Sequence, residues 1–353
     1  MLSTILISGG AGYIGSHAAF VLQAAGYKPV IIDNLSTGNP WAAGFGIFEQ
    51  GDIGDVNFVK SICEKYEPIA AMHFAAFIEV GESVHNPAKY FENNRDKASR
   101  FFRTLNACKV NKVVFSSTAA VYGDAGENGP ISELYPTKPI NPYGQSKMEA
   151  EAFLRMLDAG GMRSVTLRYF NVAGAAPAEA MIGEAHLPET HLIPRLILPL
   201  IDAPPDLLQA LGLEHGFTIY GDDYPTPDGT AVRDYIHVMD LIDAHMRSLD
   251  YLLSGGDTDI FNLGSGNGFS VKEIIEAARL VLDRPHFTPG RAPRREGDPA
   301  TLVASNKKAY KVLGWKPTRA LPDIIGDAVT WHRSQRYRDA MQAKIGKKEQ
   351  RAV

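Results

Sequence analysis

Cysteine is scarce in this chain: two in 353 residues, Cys63 and Cys108. Neither stands in a CxxC or other metal-ligand spacing, so a disulfide framework and a cysteine-ligated metal are both unsupported. The pair reads as core thiols of a reducing compartment. Long apolar runs are also missing. No stretch approaches the roughly 18 apolar residues of a membrane span. The N-terminus lacks the charged region, apolar run and cleavage site of a secretory signal. A cytoplasmic protein without a membrane partner is expected. Charge of one sign is missing too, with 36 basic residues against 40 acidic ones and a net charge of −4. That balance argues against a general nucleic-acid binder. The ten histidines are scattered, none in an HxxxH arrangement, and no metal site is expected. No repeat or low-complexity tract is visible. The last stretch, RYRDAMQAKIGKKEQRAV, is charged and reads as a tail that frays into solvent.

What is present starts at the N-terminus. A short apolar run ends at Ile7 and a glycine loop follows in SGGAGYIG. An apolar-periodic helix then runs to about Ala25, where Gly26 can end it. A second apolar run, from Pro29 to Ile32, finishes at Asp33. This is the opening of a βαβ unit. The glycines fit GxGxxG as Gly10, Gly12 and Gly15, or GxxGxxG as Gly9, Gly12 and Gly15. Each has a job: a tight turn, close approach to a pyrophosphate, and close packing of helix on strand. The helix N-terminus offers its free N–H groups and positive dipole end to the phosphates. Asp33, at the end of the second strand, would accept hydrogen bonds from adenosine ribose hydroxyls. It would repel a 2′-phosphate, and DNLSTG contains no basic residue to offset that, so NAD is favoured over NADP.

Further βα units follow. A third strand ends near GDIGD (51–55), with Asp52 and Ile53 placed to meet an adenine. A fourth strand is expected over 70–76 and a fifth over 112–123. Strands alternating with helices predict an α/β protein, a Rossmann-type doubly wound parallel sheet with its ligand at the strand carboxyl ends. Thr118 lies at such an end. In NPYGQSK, Asn141 is a good N-cap and Pro142 suits the first helical position. Tyr143 and Lys147 then share one helix face, four residues apart. A nearby cation lowers a phenol's pKa. Lys147, with an oxidised nicotinamide, is expected to tune Tyr143 into a base for a substrate alcohol while hydride leaves the same carbon. Thr118 can bond the reacting oxygen.

GGAGYIG, GDI, FAA with VGES, SSTAAVYG, NPYGQSK and RYFN, in this order, resemble the extended short-chain dehydrogenase/reductase family. YFENN (90–94), GDDYPTPDGTAVRDYIHVMDL (221–241) and APRREGD (292–298) narrow the likeness to its UDP-hexose 4-epimerases, over about residues 3 to 332. The resemblance implies reversible inversion at the 4-position of a UDP-hexose, with NAD tightly held and a homodimer as the assembly. It implies catalytic roles for Tyr143, Lys147 and Thr118. It implies cofactor contacts from Gly9, Gly12, Tyr13, Ile14 and Gly15, from Asp33, Asn34, Ser36, Thr37 and Gly38, and from Asp52 and Ile53. Phe74, Ala75, Ala76, Asn93, Ser116 and Tyr169 complete that set. For the substrate it implies Phe170, Asn171, His191, Leu192, Thr218 and Tyr220, with Arg233 and Arg295 on the diphosphate and Asp298 and Leu302 near the sugars. Arg291 and Arg294 read rather as solvated surface charge. The expected division is a cofactor domain of residues 1–171 plus about 236–262, and a smaller α/β UDP-sugar domain of about 172–235 and 263–335. The piece from Arg233 to Leu253 should return to the first domain as strand and helix.

Four positions depart from the family or separate its branches. Ile78 stands where some members carry a phosphate-reaching lysine, which leaves NAD retention more to backbone N–H groups. Leu302 stands where members restricted to unacetylated sugars have a tyrosine, so N-acetylated UDP-hexoses should also fit. Ala119 and Ala120 follow Thr118 where nucleotide-sugar dehydratases place an acid pair, which speaks against dehydration. Epimerases of UDP-pentoses or UDP-glucuronate, and a non-catalytic NAD-binding protein, remain as alternatives. A second glycine run, FNLGSGNGFSVKEII, resembles a phosphate loop, but no Lys-Ser/Thr follows it and Ser270 with Glu273 makes a capping box. It reads as a structural turn.

Overall fold

The computed structural model describes residues 2–124, 129–295 and 298–352. Its largest unit is a seven-stranded sheet in the order Asp259–Leu263, Arg163–Tyr169, Lys112–Thr118, Ala70–His73, Thr4–Ser8, Lys28–Asp33, Ile47–Gln50. Every neighbouring pair is parallel. All five residues of Thr4–Ser8 are buried, as a central strand covered on both faces requires. Ile5 and Ile7 face one core with Ala18, Leu22 and Leu241. Leu6 faces the other, with Phe101, Phe102 and Leu154. The alternation is the ordinary period of a strand. Helix Pro142–Met156 starts as its sequence dictates: the Asn141 side chain accepts from the Gly144 N–H at 2.8 Å, and Pro142 opens the first turn.

A second, four-stranded sheet is built around Val232–His237. It pairs antiparallel with Gly268–Ser270 and parallel with Thr301–Leu302 and Asn171–Ala173. The return piece is therefore split. Helix Val238–Leu253 joins the core of the first sheet through Leu241, Ile242 and Leu249. The strand before it belongs to the second sheet, because the edge beside Arg163–Tyr169 is taken by Asp259–Leu263.

The charged terminal stretch does not fray throughout. Gln335–Ala352 is a helix. Tyr337, Ala340 and Met341 are buried on one side of it, against Trp331, Leu198 and Leu207. Spacing of three and four residues gives this otherwise polar helix an apolar stripe.

Candidate functional site

At the carboxyl ends of the first sheet the glycine loop forms a cradle. Gly9 has φ +74°, and a Cβ there would lie 2.5 Å from the Ala75 nitrogen, so neither the turn nor the spacing tolerates a side chain. Gly9 is thus the first glycine the turn demands. A Cβ on Gly15 would meet the Gly9 carbonyl oxygen at 2.3 Å, which is the close packing of helix on loop. Helix Tyr13–Ala24 begins at Gly12 with no side-chain cap, which keeps its first N–H groups open to an anion. Asp33 is buried beside it. Its carboxylate accepts from Ala11 N–H at 3.1 Å and Leu35 N–H at 2.8 Å, and burial pushes its pKa up.

One cleft gathers Gly9, Gly12, Asp33, Asn34, Ser36, Thr37, Gly38, Ile53, Phe74, Ala75, Ala76 and Asn93. Ile32, Gly51 and Phe77 line it as well and were not foreseen. The signal for Phe77 was its position beside the Phe74–Ala76 loop. Its backbone is held at both ends by Asn94, which accepts from the Phe77 N–H and donates to its carbonyl, each at 2.9 Å. That geometry depends on a π-helical stretch, Phe91–Lys97. Asp52 stands beside the cleft. Its carboxylate is taken by Lys97 at 2.7 Å and the Gly54 N–H at 2.7 Å. Ile14 packs into the first core. Tyr13 reaches away from the loop and donates to the Gly174 carbonyl at 2.7 Å. The residues present fit an adenine dinucleotide: an open helix N-terminus, a buried ribose-seeking carboxylate, and a glycine turn with no room for side chains.

The reactive groups lie on the next elements. Thr118 ends its strand, buried at 8% exposure, and its Oγ1 accepts from the Ala120 N–H at 3.1 Å. Burial raises the Tyr143 phenol pKa, a hydrogen bond with Thr118 lowers it, and Glu79 raises it further. Tyr169 is pushed up by burial and by Tyr143, and bonds Ser116. Ser116 also pairs with His245 Nε2 at 3.1 Å. Lys147 is 3% exposed, with its Nζ 4.6 Å from the centre of the Phe115 ring. Burial lowers its pKa to about 7, opposed by Glu151. Lys147 is not among the groups that shift the Tyr143 phenol, on which burial acts most.

Glu151, four residues beyond Lys147, is anchored in turn. Arg168 donates to it through Nε at 3.0 Å and through a terminal nitrogen at 2.5 Å. Ser117 donates to the same carboxylate. Arg168 also bonds the Tyr122 hydroxyl at 3.0 Å, which donates to Asn262 at 2.7 Å.

The expected substrate residues lie on the second sheet and on the loops, short strands and helix start around it. Arg233 pairs with Asp298 and donates to the Val232 carbonyl at 2.8 Å. Arg295 lies over the Tyr220 ring, 4.2 Å from its centre. Tyr220 ends the short strand Thr218–Tyr220. Leu302 pairs in register with Arg233 and packs in one cluster with Phe170, Ala119 and Val121. Asn171 donates to the Asp234 carbonyl at 3.2 Å. Leu192 opens helix Leu192–Leu200, and His191 precedes it. Burial opposes a charge on His191, but Glu184 and Glu189 prevail and raise it well above the usual imidazole range. Ile78 is exposed. Arg291 and Arg294 make exposed pairs with Asp222 and Asp223.

The glycine run at 264–268 is closed by the protein itself. The Asp234 carboxylate accepts from the Ser265 and Gly266 N–H groups at 2.6 and 3.1 Å, from the Ala304 N–H at 3.0 Å, and from the Ser265 hydroxyl at 2.6 Å. The capping box of Ser270 with Glu273 is present.

Residues 5–264 match the model of the NAD dependent epimerase/dehydratase family. A UDP-glucose 4-epimerase of Rhizobium meliloti is 48% identical over 333 residues, covering 94% of this chain and 97% of that protein. The crystal structure of UDP-glucose 4-epimerase from Brucella ovis in complex with NAD superposes with a TM-score of 0.85 at 41% identity, over 93% of this chain and 97% of that one. The Bifidobacterium longum enzyme in complex with NAD+ and UDP gives 0.84 at 33% identity, over 95% and 99%. On the family match and this likeness over nearly its whole length, the chain belongs to the NAD-dependent epimerase/dehydratase family and, within it, to the UDP-glucose 4-epimerases.

Proposed function

We infer that the chain interconverts UDP-glucose and UDP-galactose by inverting the hexose at C4, with NAD retained in the cleft of the glycine loop. The observation that carries this is the hydrogen bond of Thr118 with Tyr143, on the helix that also buries Lys147, in a chain whose glycine loop forms an open cleft. Bound NAD supplies a reversible acceptor for the C4 hydride. Tyr143 takes the proton of the 4-hydroxyl and later returns it. Thr118 steadies the reacting oxygen. Lys147 would hold the nicotinamide ribose. Tyr169 and Phe170 would lie beside the nicotinamide, and Ser116 bonds Tyr169. A transient 4-keto sugar must turn over between the two half-reactions. The grip therefore belongs on the UDP, through Arg233, Arg295, Asp298, Thr218, Tyr220, Asn171, His191 and Leu192, and stays loose on the hexose. Arg233 with Arg295 offers charge-assisted bonds to the diphosphate. In this reading residues 1–171 and 236–262 serve the cofactor, and 172–235 with 263–335 serve the UDP-sugar.

Incubating the purified protein with UDP-galactose and no added cofactor tests both halves. UDP-glucose should form without net NADH. Activity only after NAD is added would mean that retention is weak, as the isoleucine at Ile78 allows. No activity even then would redirect the search to pentose and uronic-acid nucleotides. Ala119 and Ala120, which follow Thr118 in a tight turn, supply no acid for expelling water. Epimerisation is favoured over dehydration for that reason.

Asp33→Ala should weaken NAD retention by about 10- to 100-fold, the worth of lost hydrogen bonds to a charged group. It should also narrow the preference for NAD over NADP. Fluorescence titration of the cofactor-stripped protein reads both. Leu302 leaves space beside the sugar 2-position, and we extend the substrate range to the N-acetylated UDP-hexoses. Leu302→Tyr should lose UDP-N-acetylglucosamine turnover first, by more than tenfold, with UDP-galactose turnover kept. Equal inactivity of both proteins on the acetylated sugars removes the extension.

The same reading takes the assembly to be a homodimer through the helices near 89–110 and 147–158, where Met156 is 73% exposed. No helix among the described residues is long and apolar enough to cross a membrane. A cytoplasmic location is proposed on the two free cysteines.

A further inference from the structure

Ahead of helix Leu192–Leu200, one loop turns four side chains of alternating kind toward one point: Glu184, His186, Glu189 and His191. One ligand atom from each lies within 4.8 Å of all the others. Glu184 Oε1 is 2.9 Å from His186 Nδ1 and 2.7 Å from His191 Nδ1. His191 Nδ1 is also 3.0 Å from Glu189 Oε1. The glutamates are 3% and 2% exposed. We propose that these four groups form a structural binding site for a divalent cation of the zinc class.

The donor set selects the ion. Two imidazole nitrogens with two carboxylate oxygens suit a borderline cation in tetrahedral geometry, whereas calcium and magnesium take oxygen sets. In a tetrahedron with bonds of about 2.1 Å, ligand atoms stand roughly 3.4 Å apart. The three His–Glu contacts are shorter than this and no pair of ligand atoms is more than 4.8 Å apart, so small side-chain adjustments bring the set to a tetrahedron. Two glutamates and one dication sum to zero charge, which suits a buried place. Four protein ligands leave no open position, the mark of a structural rather than a catalytic zinc.

Independent features support the site. The loop backbone is pinned from outside by three donors: Trp331 to the Glu184 carbonyl at 2.6 Å, Lys344 to that of Ala185 at 2.7 Å, and Arg195 to that of Glu189 at 2.9 Å. His332 is buried, donates its Nδ1–H to the Ala328 carbonyl at 2.7 Å, and has an Nε2 without a partner among the described residues. The location gives the ion a purpose. The His186 ring meets Tyr13 edge-on with centroids 6.5 Å apart, and Tyr13 begins the helix of the cofactor loop. Lys344 also bonds the Thr37 carbonyl in the cofactor cleft. The ion would lock the substrate-side loop against the cofactor loop.

The test uses the full chain. After purification from zinc-supplemented medium and desalting, mass spectrometry of the metal should find about one zinc per chain. The chelated protein, given Co2+, should develop the visible d–d bands of a tetrahedral N/O site. Its unfolding midpoint should rise with added zinc, because binding to the native state stabilises it. The His186→Ala variant should keep its far-ultraviolet dichroism and lose the zinc, the cobalt bands and the zinc-dependent shift. Wild-type protein with no metal and no cobalt spectrum overturns the proposal and leaves a closed ion-pair cluster. Zinc bound equally by wild type and by a His186→Ala/His191→Ala double variant overturns it also, by placing the metal elsewhere.

Discussion

Tyr143→Phe should lower epimerisation by about a hundred- to ten-thousand-fold, the usual worth of a positioned acid–base group, and leave the NAD content unchanged. The substitution removes one hydroxyl. The ring keeps its edge contact with Tyr90, at a centroid distance of 6.4 Å, and the Asn141 cap that starts the helix is untouched. Folding is therefore not the cause of the loss. Turnover of UDP-galactose and cofactor released on denaturation are the two readings. A mutant within tenfold of wild type would falsify the role of Tyr143 and shift attention to Tyr169, which shares its surroundings.

A second large effect should come from a residue that touches no ligand in this reading. Arg168→Met should destabilise the fold by about 3–5 kcal/mol, because it strands the Glu151 carboxylate without its cation. Both partners are nearly enclosed, with side chains 6% and 5% exposed. Ser117 alone would remain on that carboxylate. Removing both charges, as Arg168→Met with Glu151→Leu, should recover much of the loss, since a buried pair replaced by packed apolar groups is often neutral. Urea unfolding of the two single variants and the double closes the cycle. Additive effects would show that the pair is not coupled.

Local motifs carried most of what was legible in the sequence. The glycine loop, Asp33, Thr118 and the Tyr143–Lys147 pair are set by spacing along one or two elements, and spacing is visible without a structure. The parallel sheet followed from alternating strands and helices. What escaped depends on partners far away in the chain. Nothing within Val232–His237 says that its neighbours will be Asn171–Ala173 and Thr301–Leu302 rather than the first sheet. The charge of Lys147 depends on burial, which is a tertiary property. Asp52 looked free until Lys97 arrived from the π-helical stretch. The terminal helix was misjudged on composition, although Tyr337, Ala340 and Met341 already stood at helical spacing. The loop that alternates Glu and His has no HxxxH spacing, and only the fold turns its four side chains toward one point.

The second glycine run has a consequence for how the protein keeps its ligands apart. A row of inward-pointing backbone N–H groups is a generic anion receptor and does not distinguish one phosphate from another. Two such receptors in one molecule would compete for the same dinucleotide. Here one is furnished with its own tethered anion, Asp234, at an effective concentration that a free phosphate ester does not match. The other is left open at Gly12. Selectivity between the two loops is thus a matter of vacancy: the chain directs its cofactor by plugging the alternative with a carboxylate of its own.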